Sequence, residues 1–225
     1  MNVAYHPDFG QDVRYEFRVL PEAPDGQVRE TIRDVIRLVQ KDAVAPVIQQ
    51  EAQRVLELGE GNPNLGLWRM LKPSMRFKRD EAIAQDLDTD DERKQDTIEV
   101  LIRPLDQWML IKLRGIGVGD CDCYTMYGAC LLTALGVPCS LMTVAAHPSR
   151  PNEFSHVYLV SYWNGERFPM DLSHGEYPGW ECPNLGRAKE WPVWSSRADL
   201  LMDAAIPLGI LAAVYFGLQW FMRIR

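Results

Sequence analysis

Apolar and polar positions alternate first. Val13, Tyr15, Phe17 and Val19 fall on one side of a segment over residues 11–20, which predicts a strand with one buried face. After a turn at Pro21 to Gly26, Val28, Ile32, Val35, Ile36 and Val39 recur at helical spacing and predict an amphipathic helix over 28–40. A second helix is expected over about 46–58, ending near Gly59, and Gly59 to Gly66 reads as loop. Thr97 to Leu113 mixes apolar residues around Pro104 and predicts a further helix. Tyr124, Tyr127, Leu131, Leu132 and Leu135 form a stripe on a helix over 121–135, stopped by Gly136-Val137-Pro138. Beyond it the period shortens, and strands are expected at 141–145, 155–163 and 167–172. Asn164-Gly165 between the last two is a strong two-residue hairpin signal.

Two segments depart from this pattern. Residues 79–96 carry a dense acidic run and read as a solvated loop. Its D-x-D-x-D start at Asp86 suggests a calcium loop, but Asp91 stands where that loop needs Gly and Thr97 where it needs Glu. At the other extreme, residues 204–222 are apolar except for Gln219. That length can cross a bilayer or form a helix that docks on its own domain or a partner. The organisation expected is therefore one domain over 1–200 followed by the apolar segment 204–222.

Composition narrows the class. With 225 residues and 47% hydrophobic content, the chain supports a packed core. A net charge of −7 without a dense basic patch excludes a nucleic-acid partner. Five cysteines in no paired framework, and a start lacking a basic and apolar leader, point to reduced thiols in a cytoplasm-like compartment.

The chemistry lies in the order Cys, His, Asp. Cys121 opens the best-defined helix, where free N–H groups and the helix dipole favour a thiolate. Cys123 is two residues on, roughly 200° around the helix, and faces away. Cys121 shares its face with Tyr124, Gly128, Leu131 and Leu135, the stripe that packs on a sheet, so it is the nucleophile candidate. His156 and Asp171 fall on the two strands of the Asn164-Gly165 hairpin. A two-residue loop sets His156 opposite Ser173 and puts Asp171 on the same face, diagonal to His156 and roughly 7–8 Å away at the backbone. His156 is then the base and Asp171 the group that orients it, with Gln107 and Trp108 as candidate oxyanion donors beside the Cys121 N–H. The competing metal set is Cys121, Cys123 and Cys182 with His156 or His174. Cys-x-Cys across a helix start suits one ion poorly, and neither a metal nor a cofactor is expected.

Gly119-Asp120-Cys121-Asp122, the helix to Leu135-Gly136-Val137-Pro138, Ser155-His156-Val157-Tyr158 and Met170-Asp171-Leu172 resemble, in order, the three blocks of the transglutaminase-like superfamily, over about residues 115–175. Arg103-Pro104 and the Gly-rich approach to Cys121 are similar to small members from bacteria and phages. The resemblance implies an α+β, papain-type core: a Cys-bearing helix packed on an antiparallel sheet bearing His and Asp, a helical N-terminal part and the apolar C-terminal helix. It implies a protease or transglutaminase-like acyl transfer on a protein or peptide substrate, with Cys121, His156 and Asp171 as triad. Cys123 stands where many members have a second acid. The alternative is an idle scaffold, a structural component of a phage particle or membrane complex. The expected setting is the cytoplasmic side of a membrane, or a phage assembly, with residues 204–222 as the contact.

Overall fold

The computed structural model describes residues 2–6, 10–19, 24–86 and 98–193. Residues 204–222 and most of the acidic run lie outside them. The described chain is α+β. Strands β1 (Asn2–His6), β2 (Gly10–Val19) and β4 (Ile98–Leu101) form an antiparallel sheet in the order β1-β2-β4. Helices α1 (Pro24–Asp42), α2 (Pro46–Leu58) and α3 (Pro63–Ser74) lie between β2 and the short β3 (Met75–Phe77), which pairs in parallel with β5 (Gly117–Gly119). Helices α4 (Asp80–Asp86) and α5 (Pro104–Arg114) flank β4 in sequence. Then come α6 (Cys121–Ala134), β6 (Cys139–Val144), β7 (His156–Trp163), β8 (Glu166–Met170) and β9 (Ala188–Val193). The last four form an antiparallel sheet ordered β8-β7-β6-β9.

Helix α6 is the hub. It packs against α1 and α2 on one side and β7 and β6 on the other, so its expected stripe widens to nearly the whole circumference: from Asp122 to Leu132 every residue is buried. Such a helix owes its stability to packing rather than to propensity. Gly128 lets β7 come close, because a Cβ there would lie 3.0 Å from Leu159 Cδ2 and 2.7 Å from Leu172 Cδ1. The helix ends as expected. Gly136 has φ +71°, and the N–H groups of Val137 and Gly136 bond back to the carbonyls of Leu132 (2.9 Å) and Thr133 (3.0 Å).

The hairpin register is the one its turn chemistry predicts. Asn164 and Gly165 have φ of 54° and 80°, the signature of a type I′ turn. The ladder pairs Trp163 with Glu166 and Leu159 with Met170. It stops there, so Asp171 lies in the turn beyond β8 rather than on the strand, and no Ser173–His156 rung forms.

Other expectations are corrected. Residues 63–74, of which 63–66 read as loop, form α3: Asn62 caps it through Asn64 N–H (3.0 Å) and Leu65 N–H (3.2 Å), with Pro63 at the first turn. Gly66 serves contact rather than flexibility, since a Cβ there would lie 1.8 Å from the Val55 carbonyl of α2. Residues 80–86, read as solvated, form α4, and Asp80 is buried. No helix among the described residues is long and apolar enough to cross a membrane.

Candidate active site

Cys121 sits at the first position of α6, after the N-cap residue Asp120, whose carboxylate accepts the Cys123 N–H at 3.5 Å. It is half-buried on a cleft of about 710 Å³ that also meets His156, His174, Trp180 and Cys182. Cys123 points elsewhere. It is fully buried, and its sulfur donates to the Val100 carbonyl (3.5 Å) and accepts the Ile102 N–H (3.4 Å). The second thiol therefore ties α6 to β4. Burial pushes the Cys121 thiol well above its ordinary value. The charge of Asp120 adds to this, and a backbone hydrogen bond from Val157, the residue after His156, works against it.

His156 begins β7 and lines the same cleft. Its Nε2 lies 2.6 Å from Asp171 Oδ2, and the side chains are 7% and 0% exposed. The second Asp171 oxygen is held three ways, by the N–H of Ser173 (3.1 Å), the Ser173 hydroxyl (2.8 Å) and the N–H of His174 (2.8 Å). From α3, Lys72 Nζ reaches the carbonyls of Leu172 (3.4 Å) and Ser173 (3.3 Å) and so clamps the turn that presents Asp171. Burial pushes the Asp171 carboxyl up. The hydrogen bond and charge of His156, with the His174 N–H and Ser173 hydroxyl, outweigh it and hold the carboxyl below its usual value. His174 stacks edge-on to His156 (5.0 Å between centroids) and to Phe77 (4.8 Å). Burial, then the charge of His156, lowers its pKa.

The lowered Asp171 value has a consequence for pH. Its unfolded carboxyl titrates near 3.8, so its contribution is fully present above that value and is lost as pH falls through the lower folded value. The stability difference between the native chain and Asp171→Asn is expected to close as pH falls below the unfolded value near 3.8. Denaturant titrations across that range check it, and a constant difference would contradict the ionised Asp171–His156 pair.

Both oxyanion candidates are misplaced. Gln107 is fully buried, and its amide exchanges two hydrogen bonds with the backbone of Val118, to the carbonyl at 2.9 Å and from the N–H at 3.0 Å. Trp108 packs on the core with Lys112 over its ring at 5.8 Å. Neither lines the cleft. What remains beside Cys121 is the first turn of α6, whose N–H groups lack helical acceptors. The thiol metal set does not assemble among the described residues. The donor groups that gather are His156-Asp171-His174, Asp120-Asp122-Cys123 and Asp80-Glu99-Asp122. Sequence reasoning missed Lys72 and Ser173, although Asp-x-Ser-His carries the local signal of a side chain turning back on its own backbone N–H groups. It also missed Asp80, hidden in a run that resembled solvated surface, and Glu99, in a segment read as helical that forms β4.

No family model matches the chain, and no curated protein matches it. Among solved structures, the chain is similar to a candidate cysteine protease from Cytophaga hutchinsonii, with a TM-score of 0.38 and 17% identity over 72% of this chain and 50% of that one. The chain thus spans about half the length of that protein.

Proposed function

We propose that the protein is a thiol-dependent hydrolase or acyltransferase acting on peptide or Gln-type amides through an acyl-Cys121 intermediate. The observation that carries this reading is the buried 2.6 Å pair of His156 Nε2 and Asp171, facing a cleft that also holds Cys121 at a helix start. With Nε2–H given to Asp171, Nδ1 is the ring's proton acceptor. The thiol is protonated at rest, so deprotonation and attack are coupled. Nδ1 takes the Cys121 proton as the sulfur adds to the amide carbonyl. The tetrahedral oxyanion rests on N–H groups of the first turn of α6. Its collapse breaks the C–N bond, and His156 returns the proton to the leaving amine. Water then completes hydrolysis, or a primary amine completes transfer, with His156 again as base. Residues 204–222 would hold the domain at a membrane or assembly.

One observation favours the second reading, a transglutaminase-like scaffold with an idle triad: burial and acidic neighbours disfavour the Cys121 thiolate. The test is acyl-enzyme trapping. The protein is incubated with a Gln-containing peptide and a biotinylated primary amine, quenched in acid and mapped by mass spectrometry. A thioester on Cys121, absent in Cys121→Ala and kept in Cys123→Ala, is expected. No adduct, with equal Cys121 alkylation in wild type and His156→Ala, would leave the scaffold.

A further inference from the structure

Three acids distant in sequence meet behind the nucleophile. Asp80 opens α4, Glu99 lies in β4 and Asp122 is the second residue of α6. One carboxylate oxygen from each lies within 4.8 Å of the others. Asp80 and Asp122 are 8% and 6% exposed. Asp80 Oδ2 accepts the Val100 N–H at 3.1 Å, but its Oδ1, and likewise Oδ1 of Asp122, is buried without a hydrogen-bond partner. The charges that act most on these two groups are acidic as well: Asp120 and Glu99 for both, with Glu81 for Asp80. Leaving such oxygens dry and unpaired costs several kcal/mol for each ionised group.

We infer that Asp80, Glu99 and Asp122 bind one hard divalent cation, calcium by the number of carboxylates, in the cleft wall behind Cys121. All-oxygen donors select a hard ion. Three protein carboxylates suit calcium, whereas magnesium keeps several waters and is usually held by one or two carboxylates. Access exists, because Asp80, Glu99 and Asp120 line the cleft. Asp122 does not line it, which favours a bare ion over the ammonium group of a substrate. Cys123 is no ligand, since its soft sulfur is already engaged by the β4 backbone. The ion would join α4, β4 and the start of α6, and so brace the wall that carries Cys121. This site stands independently of the acyl-transfer reading, because its test reads binding rather than turnover.

The full chain, stripped with chelator, is titrated with calcium chloride by calorimetry, with magnesium chloride as a second arm. One saturable calcium site per chain is expected, filled by about 10 mM, beyond the weak end of protein calcium sites at roughly 10⁻³ M. Calcium should raise the melting temperature. Asp80→Asn and Glu99→Gln should each weaken binding at least about tenfold and abolish that rise. Glu99 is less buried, so Glu99→Gln decides the matter if Asp80→Asn does not fold. No saturation, unchanged binding in a folded variant, or tighter magnesium would overturn the inference. So would calcium binding that survives both variants and is lost in Asp88→Asn/Asp90→Asn, which would assign it to the acidic run.

Discussion

Turnover of a peptide amide is expected to fall by about 10²–10⁴-fold in His156→Ala, the usual contribution of a positioned acid–base group. The effect should be large because the resting thiol is disfavoured as an anion by burial and by Asp120. Without an acceptor for its proton, Cys121 has no route to attack at neutral pH. Asp171→Ala should act through the imidazole, lowering kcat while leaving KM near wild type, because Asp171 holds the ring at 2.6 Å and is itself fully buried. Groups that act as a unit do not add, so Cys121→Ala/His156→Ala should be no slower than Cys121→Ala alone. Steady-state kinetics of the four variants check this. Wild-type turnover in His156→Ala would sink the mechanism.

The second large effect is on stability, at an ion pair that does not line the cleft. Asp42, the last residue of α1, is fully buried and faces Arg103, 7% exposed, at the start of α5. Arg103 Nε donates to Asp42 Oδ2 at 2.9 Å, its terminal nitrogen donates to Oδ1, and the Leu105 N–H reaches Oδ2 at 3.1 Å. One carboxylate thus satisfies a buried guanidinium and a free N–H of the α5 first turn. Asp42→Ala is expected to cost about 3–5 kcal/mol, since it strands that charge in the interior. Asp42→Leu/Arg103→Met should recover much of the loss, because removing both partners leaves no orphan. Urea midpoints at constant slope measure both. A small loss in Asp42→Ala would mean that Asp106, 3.8 Å from Arg103, takes over the charge.

The elements legible from sequence were those whose signals are local. Helix α2 matches its expected span because Pro46 and Gly59 mark its ends. The β7–β8 register follows from Asn164-Gly165. Strand β9 was not legible: Ala188 to Val193 shows weak alternation and contains Pro192, and it pairs only because β6 offers an open edge. At the site, Cys121 at a helix start and His156 on a hairpin strand could be read from local signals, whereas Asp171 meets His156 from the turn beyond β8 and not from the strand. Their support could not be read that way, because Lys72 arrives from α3, about a hundred residues earlier in the chain. Asp80 reads as surface charge until tertiary packing buries it against Asp122 and Glu99. Gln107 fails as an oxyanion donor for a comparable reason: its partner Val118 is adjacent in space through β5 and invisible to spacing.

Strand β9 lies seventeen residues beyond Asp171, pairs along the whole of β6 and pins it through Trp191 Nε1 to Thr143 Oγ1 at 2.9 Å. A proteolytic cut in the stretch between Asp171 and β9 would leave Cys121, His156 and Asp171 together in the longer fragment. It would also bare the hydrogen-bonding edge of β6, a mostly buried strand, as a template for intermolecular pairing. Loss of colloidal behaviour, not loss of chemistry, is then the first sign of damage to this fold.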